Sequence, residues 1–148
     1  MLISLVLILE AERNGVLPPH VGRANYAITL ARLNEVAAGL GDALHSREGP
    51  KPLTCSSLLA SGCNEEGAQK ASRQSDFQTV VRAGQRFQVH LTGLTQAVSR
   101  ALSRGFVEEP PATWSVSGYP FRVVKSICDD EVDPWTGRTT YEALAKLE

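Results

Sequence analysis

Two basic side chains, His45 and Lys51, are separated by a Gly49-Pro50 turn. Histidine titrates near neutral pH, so an exposed imidazole can take up or release a proton during a reaction. An ammonium group close to it can stabilise negative charge on a phosphate. The same residues also fit a simpler interpretation, in which His45 is a cation that interacts favourably with the dipole at a helix C-terminus. Periodicity alone favours this simpler interpretation.

A long helix is expected to carry His45. From Tyr26 to Leu44, apolar residues recur at spacings of three and four, and Gly49-Pro50 ends the helix with His45 in its last turn. Gly39 and Gly41 each cost ~1 kcal/mol relative to alanine in a helix, so we expect a neighbouring group to need the space beside them. A strand is predicted to follow from Leu53 to Ala60, which would place Lys51 at its beginning.

The remaining elements are predicted from alternation, helical spacing and turn residues. They are a strand over residues 2–10, a polar loop over 61–76, a strand over 77–91 bent at Ala83-Gly84, a helix over 94–104 ended by Gly105, and strands over 114–116 and 121–127 joined by a turn at Ser117-Gly118. The order strand, helix, strand, strand, helix, strand predicts an α+β, ferredoxin-like fold. Its four-stranded antiparallel sheet would have both helices on one face.

Composition excludes several classes of protein. The net charge of −1 and the 43% of hydrophobic residues describe an ordinary globular chain without a strong overall field for nucleic acid. Three cysteines without CxxC spacing indicate free thiols in a reducing compartment rather than a disulfide framework or a zinc site. The apolar run at the start is closed by Glu10 and lacks a preceding Lys or Arg, so we predict a buried strand and a cytoplasmic protein that does not enter a membrane.

A second group of candidate residues is basic. No acidic residue occurs between Phe77 and Val107, whereas this stretch contains four arginines and a histidine, namely Arg82, Arg86, Arg100, Arg104 and His90. Local positive charge of this kind can bind phosphates along an RNA without reading its sequence. A solvated surface explains the same pattern equally well.

Metal and cofactor chemistry are not expected. The acidic stretch from Asp129 to Asp133 lacks EF-hand spacing and its glycine, which favours a solvated turn. Ser56 and Ser57 have no GxSxG context, and the chain contains neither a GxxxxGK[ST] nor a GxGxxG motif. We therefore predict no metal and no cofactor.

The last residues form a turn and the start of a helix. Pro134 to Gly137 is typical of a turn, and Thr139 with Glu142 resembles a capping box. The apolar side of this helix, with Tyr141 and Leu144, has no partner later in the sequence. We therefore predict an amino-terminal domain over 1–133 and, over 134–148, the start of a linker to a second ferredoxin-like domain.

Several of these motifs together resemble the CRISPR-associated repeat-RNA endoribonuclease family, which belongs to the repeat-associated mysterious proteins. The shared features are a first strand and long helix ending in Leu-His, the Lys-Pro-x-Thr-x-Ser strand, the Leu-Thr-x-Leu helix start and the Pro-Trp-x-Gly-x-Thr-x-Tyr-Glu segment. They correspond here to residues 44–45, 51–56, 91–94 and 134–142. The resemblance covers nearly the whole chain.

The resemblance implies an endoribonuclease that cuts CRISPR precursor RNA within repeats without metal and leaves a 2′,3′-cyclic phosphate. It implies that His45 is the general acid/base and that Lys51 stabilises the transition state. Some members place a tyrosine fifteen residues before the histidine, where this chain has Leu30, and Tyr26 lies one turn earlier.

The expected partners are repeat RNA, a second domain of the same protein and other CRISPR effector subunits, and a homodimer is possible. Two alternatives to an endoribonuclease stay open. One is a non-catalytic RNA-binding subunit of a CRISPR effector complex, in which the arginines matter more than His45. The other is a ferredoxin-like module that binds a protein partner or a small ligand.

Overall fold

A computed structural model describes residues 1–19, 21–61 and 79–146 of the chain. The strands are β1 (Leu2–Ala11), β2 (Gly15–Leu17), β3 (Leu53–Cys55), β4 (Leu59–Ser61), β5 (Thr79–Val81), β6 (Arg86–Gly93), β7 (Thr113–Val116), β8 (Tyr119–Ile127) and β9 (Gly137–Thr139). The helices are α1 (Val21–Val36), α2 (Leu40–Ser46), α3 (Gln96–Leu102), which continues as a π-helix over Ser103–Glu108, and α4 (Tyr141–Ala145).

A curled antiparallel sheet forms the centre of the molecule. Strand β1 lies between β6 and β8, β3 and β4 pair with β6 at one edge, and β7 pairs with β8 at the other. Strand β9 pairs with the beginning of β1, and β2 pairs with β5 in a separate two-stranded sheet. The predicted mixed α/β fold with an antiparallel sheet is confirmed. The exact four-strand arrangement is not, because the main sheet of the described residues contains seven strands.

One face of the main sheet is covered by helices. Alternate residues of β1 and β6, including Leu7 and Val89, are buried in one cluster with Leu33 of α1 and Leu102 of α3. The opposite face of β6 carries polar residues, which are Arg86, Gln88, His90 and Thr92. We call this second surface the open sheet face.

The predicted single helix that ends at His45 is wrong, because a turn divides it into α1 and α2. Gly39, between α1 and α2, has a φ of 82°, a left-handed conformation that lets the chain reverse before α2 begins. Strand β1 was predicted within one residue, whereas the predicted strand over Leu53 to Ala60 is interrupted at residues 56–58.

The structure corrects two other expectations. Gly105 does not end the second predicted helix, which continues as a π-helix to Glu108. Thr140, not Thr139, caps α4, since its hydroxyl accepts a hydrogen bond from the backbone N–H of Ala143. Strand β9 lies within the segment predicted as the start of a linker, and the predicted domain boundary stays a prediction.

Some expectations lie outside the described residues, among them most of the polar loop over 61–76 and the start of the strand at Phe77. Across the ranges 1–19, 21–61 and 79–146, no helix has the length and apolar character required to cross a membrane.

Candidate functional site

The position of His45 is fixed by the way α2 folds back on α1. Gly41 lies so close to α1 that a Cβ atom there would be 2.1 Å from the carbonyl oxygen of Leu30. The Asn34 side chain also bridges the two helices: it donates to the Asp42 carboxylate and accepts from the Asp42 backbone N–H. The expected need for space beside Gly41 is therefore confirmed, but the space is filled by the chain's own backbone.

Lys51 lies beside His45, across the turn that the sequence predicts. Its Nζ donates a hydrogen bond of 3.1 Å to the backbone carbonyl of His45. The His45 side chain is exposed and Lys51 is half-buried. An imidazole open to solvent and an ammonium group thus share one corner of the fold, which we call the His45 corner.

Tyr26 is a third member of the His45 corner, and sequence spacing did not place it there. The Lys51 Nζ lies 5.9 Å from the centre of the Tyr26 ring, within the range of a cation–π interaction. The Tyr26 hydroxyl is buried and has no hydrogen-bond partner among the described residues. Burial, and to a lesser degree the charge of Cys55, raises the pKa of Tyr26, so the phenol is neutral at neutral pH.

Cys55, behind Tyr26, is not suited to act as a nucleophile. Burial raises the pKa of its thiol to about 11, although a contact of 3.7 Å with the Thr29 hydroxyl opposes this shift. Because the thiolate is the reactive form, a thiol with this pKa is almost entirely protonated and unreactive near neutral pH.

A buried amide connects the His45 corner to the far edge of the sheet. Asn25, next to Tyr26 in α1, accepts a 2.9 Å hydrogen bond from the Trp114 indole of β7. Its amide nitrogen donates to the carbonyl of Ser56, between β3 and β4. Both edges of the sheet are therefore joined through one fully buried side chain. Nothing in the local sequence indicates this link.

The structure does not bring the four predicted arginines together. Arg86 lies on the open sheet face, because it alternates with the buried Phe87. Arg82 lies at the turn between β5 and β6, while Arg100 and Arg104 lie on the helical side of the sheet. Arg104 donates to the carbonyl of Val36 at 3.4 Å.

The open sheet face offers a different basic set. His90, whose ring nitrogen is 3.1 Å from the Gln88 side-chain oxygen, lies two positions from Gln88 on the same strand. Lys125 of β8 lies on this face as well, because it pairs with Ile8 of β1, and Ile8 in turn pairs with Gln88 of β6. In the described residues, no group of three histidine, cysteine, aspartate or glutamate side chains is arranged to hold a metal ion.

Comparison with solved structures identifies Cas6 and RAMP proteins as structural neighbours. A Cas6 product complex is 25% identical to this chain, with a TM-score of 0.59, and the match covers 97% of this chain and 47% of that one. A structure from the characterisation of a Cas6-related gene from Pyrococcus furiosus has a TM-score of 0.61 at 10% identity and covers 95% and 49%. A RAMP protein binding different RNA substrates has a TM-score of 0.58 at 10% identity and covers 93% and 49%.

The Cas6 product complex confirms the predicted resemblance to the CRISPR repeat-RNA processing proteins, and the two matches at 10% identity show a shared fold. The chain spans about half the length of each of these neighbours. No family model matches the sequence. No curated protein matches it either.

Proposed function

We propose that this chain contributes the His45 corner to a metal-independent endoribonuclease that cleaves CRISPR precursor RNA within its repeats. The observation that carries the proposal is the contact between Lys51 and the backbone of His45, at an exposed corner of a Cas6-like fold. General acid/base catalysis and charge stabilisation are the two functions that in-line cleavage of RNA requires, and imidazole and ammonium can supply them.

In the proposed reaction, the His45 imidazole accepts the proton of a ribose 2′-hydroxyl. The 2′-oxygen attacks the neighbouring phosphorus, the bond from phosphorus to the 5′-oxygen breaks, and that oxygen receives a proton from the imidazolium. The products are a 2′,3′-cyclic phosphate and a 5′-hydroxyl. Lys51 offsets the negative charge that accumulates on the phosphate oxygens during the attack.

Tyr26 is proposed to hold Lys51 rather than to move a proton. Its ring faces the ammonium group, and its raised pKa disfavours a phenolate that could act as a base. The Asn25 side chain, hydrogen-bonded to both edges of the sheet, would keep this part of the corner rigid.

Two finer points of organisation are also proposals. The strands β1, β6 and β8, together with the β3–β4 edge and helices α1 and α3, follow the strand–helix order of a ferredoxin-like unit. We propose that β7 and β9 are additions to that unit. We further propose that residues 134–148 lead to a second domain, because the chain matches about half of each neighbour.

Cleavage of repeat RNA tests the proposal. Wild-type protein, including any natural continuation of the chain, is incubated with the repeat RNA of its own CRISPR array in the presence of EDTA. We expect cleavage within the repeat, a cyclic phosphate on the 5′ fragment and no cleavage of RNA with a single 2′-deoxy substitution at the cut site. His45→Gln should lower the rate by about 100-fold or more. Full activity of His45→Gln would contradict the assignment.

A second candidate is an RNA-binding protein that does not cleave. It is favoured by the basic residues of the open sheet face, and a structural neighbour is described as a RAMP protein binding different RNA substrates. In that case repeat RNA would bind with salt-dependent affinity and stay intact, and His45→Gln would leave the affinity unchanged.

A further inference from the structure

Helix α2, which carries His45, has no side-chain cap of its own at its start. It begins after Gly39, which has no side chain that could accept a hydrogen bond from the first turn. The first backbone N–H groups of a helix have no partner within the helix, and an N-cap side chain normally accepts from one of them. A helix of seven residues also has little stability of its own, so α2 depends on outside contacts for its position.

Asn34 of α1 supplies the missing cap. Its Oδ1 accepts a 3.1 Å hydrogen bond from the backbone N–H of Asp42, the third residue of α2. This is the N–H to which an N-cap side chain would bond. The Nδ2 of the same amide donates a hydrogen bond of 3.1 Å to the Asp42 carboxylate. One amide on α1 therefore holds both the backbone and the side chain in the first turn of α2.

The hydrogen bonds of Asn34 add direction to the packing of α2. Leu44 is buried in the core and Gly41 lies close against α1, but packing contacts of this kind are not directional. Hydrogen bonds weaken steeply with angle, so two of them from one planar amide oppose rotation of α2 about its axis. Asp42 and His45 are three residues apart and lie on the same side of α2. A rotation at Asp42 would therefore turn the His45 imidazole as well.

The other end of α2 is held by a different contact. Lys51 donates to the backbone carbonyl of His45, which fixes the main chain where the helix ends. This bond does not reach the imidazole, whose direction follows from the orientation of the helix. The contact that sets this orientation is at the first turn, where Asn34 lies.

We infer that Asn34 is a positioning residue for the His45 imidazole. The inference rests on the proposed function, because it gives Asn34 a role in that cleavage reaction. The amide acts through Asp42 and holds α2 in the rotation at which His45 can exchange protons with the reacting oxygens. A displacement of about 1 Å at a reacting group can lower a rate by up to about 100-fold, so a contact outside the reaction centre can matter for the rate.

Exchanging the two hydrogen-bonding groups tests the inference. Asn34→Ala removes both hydrogen bonds, and Asn34→Asp places two carboxylates against each other. Each should slow single-turnover cleavage of repeat RNA, measured at saturating protein, by about tenfold. The double variant Asn34→Asp/Asp42→Asn restores an amide and a carboxylate with their roles exchanged, so its rate should return to within about threefold of the wild type. The affinity of Asn34→Ala for the RNA should be unchanged.

Asn14→Ala is the matched control. The Asn14 side-chain oxygen also accepts a hydrogen bond from a backbone N–H, that of Ala83 at 2.9 Å, but it does so beyond the opposite end of β1. This variant should cleave at the wild-type rate. Circular dichroism verifies that every variant is folded, and each protein includes any natural continuation of the chain.

NMR of protein with ¹³C-labelled histidine gives a second readout that does not require cleavage. His45→Gln assigns the His45 ring signals. We expect these signals to shift or broaden in Asn34→Ala, to stay in place in Asn14→Ala, and to return in the double variant.

Three results would overturn the inference. They are wild-type cleavage by Asn34→Ala, a loss of rate in Asn34→Asp that the double variant does not recover, and His45 ring signals that Asn34→Ala leaves unchanged. A wild-type protein that does not cleave would instead contradict the proposed function. The NMR comparison would then still decide whether Asn34 orients His45.

Discussion

The His45 corner lies next to a groove lined by Leu2, Leu94, Cys128, Asp130, Trp135 and Leu144, among others, which we call the Trp135 groove. Both are at one end of the main sheet. Leu94 joins them, because its N–H donates to the Pro52 carbonyl beside Lys51 and its own carbonyl accepts a 2.6 Å hydrogen bond from the Tyr141 hydroxyl. Their chemistry nevertheless differs. Around the corner, residues 42–51 contain two carboxylates and two cations in addition to His45, whereas the groove has a clear excess of carboxylates.

The difference shows that adjacent surfaces of one small fold can suit ligands of opposite charge. A phosphate can approach the His45 corner with little repulsion, while the groove repels it and attracts a cation. The two regions are also held in place by different interactions. The groove lies on a turn whose hydrogen bonds are mainly within the turn, whereas the corner depends on packing between α1, α2 and β3.

Removing the Lys51 charge is expected to lower the cleavage rate nearly as much as His45→Gln does. Lys51→Gln should lower the rate of repeat-RNA cleavage by about 100-fold, because the transition state loses a positive charge next to the phosphate. Single-turnover cleavage rates measure this effect. Lys146→Gln, which removes an exposed charge beyond α4, is the matched control and should cleave at the wild-type rate. Equal losses in both variants would remove the distinction between corner and groove.

A methyl group at Gly41 should disturb the corner through packing. In Gly41→Ala the new Cβ would meet the Leu30 carbonyl, so α2 must shift, at a cost of about 2 kcal/mol in the free energy of unfolding. Cleavage should fall too, since α2 carries His45. Urea unfolding measures the stability.

The control for Gly41→Ala is Gly22→Ala, also in a helix. A Cβ at Gly22 has its nearest neighbours at 3.8 Å and beyond, so this variant should be as stable as the wild type or slightly more stable. If Gly41→Ala is as stable as Gly22→Ala, the packing of α2 on α1 does not position His45.

Sequence patterns predicted the parts of this fold that depend on local spacing. The apolar run of β1, the turn at Ser117-Gly118 and the location of His45 near a helix end followed from neighbouring residues. The break at Gly39 did not, because either one long helix or a reversal satisfies the same apolar stripe until the packing of Gly41 on Leu30 is known.

Contacts between distant residues were beyond sequence reasoning. Trp114 and Asn25 are 89 positions apart, and no periodicity links them. Sequence reasoning missed the contact of Tyr26 with Lys51 for a different reason. Tyr26 fits the apolar stripe, and it does pack against the core. The arginines were assigned to one strip by their order in the sequence, but the sheet separates Arg86 from Arg104.

This separation leads to a third prediction. If RNA follows the open sheet face, Arg86→Gln should weaken repeat-RNA binding by about fivefold and reduce the slope of log affinity against log salt by about one. Arg104→Gln, on the helical side, should change neither quantity. Filter binding over a series of salt concentrations measures both. The opposite result would assign the RNA to the helical side of the sheet.

The smallest effect is expected from the thiols, of which Cys55 lies in the corner and Cys128 lines the groove. Cys55 has a pKa of about 11 in the folded state and about 9 when unfolded. Its contribution to the free energy of unfolding is therefore complete below pH 9 and is lost as the pH rises toward 11. Between about pH 8 and pH 10, the free energy of unfolding should therefore fall by about 1 kcal/mol more in the wild type than in Cys55→Ala.

Burial also raises the pKa of Cys128, but Arg138 and a backbone hydrogen bond oppose the shift, so Cys128→Ala should remove less of the alkaline loss than Cys55→Ala. Urea unfolding at the two pH values, with Cys63→Ser in every variant, isolates these two thiols. An equal effect of both substitutions would mean that the corner is no better shielded from water than the groove. A larger effect of Cys55→Ala would support the view that the corner is a packed site and the groove an open one, because desolvation by burial is what raises the pKa of Cys55.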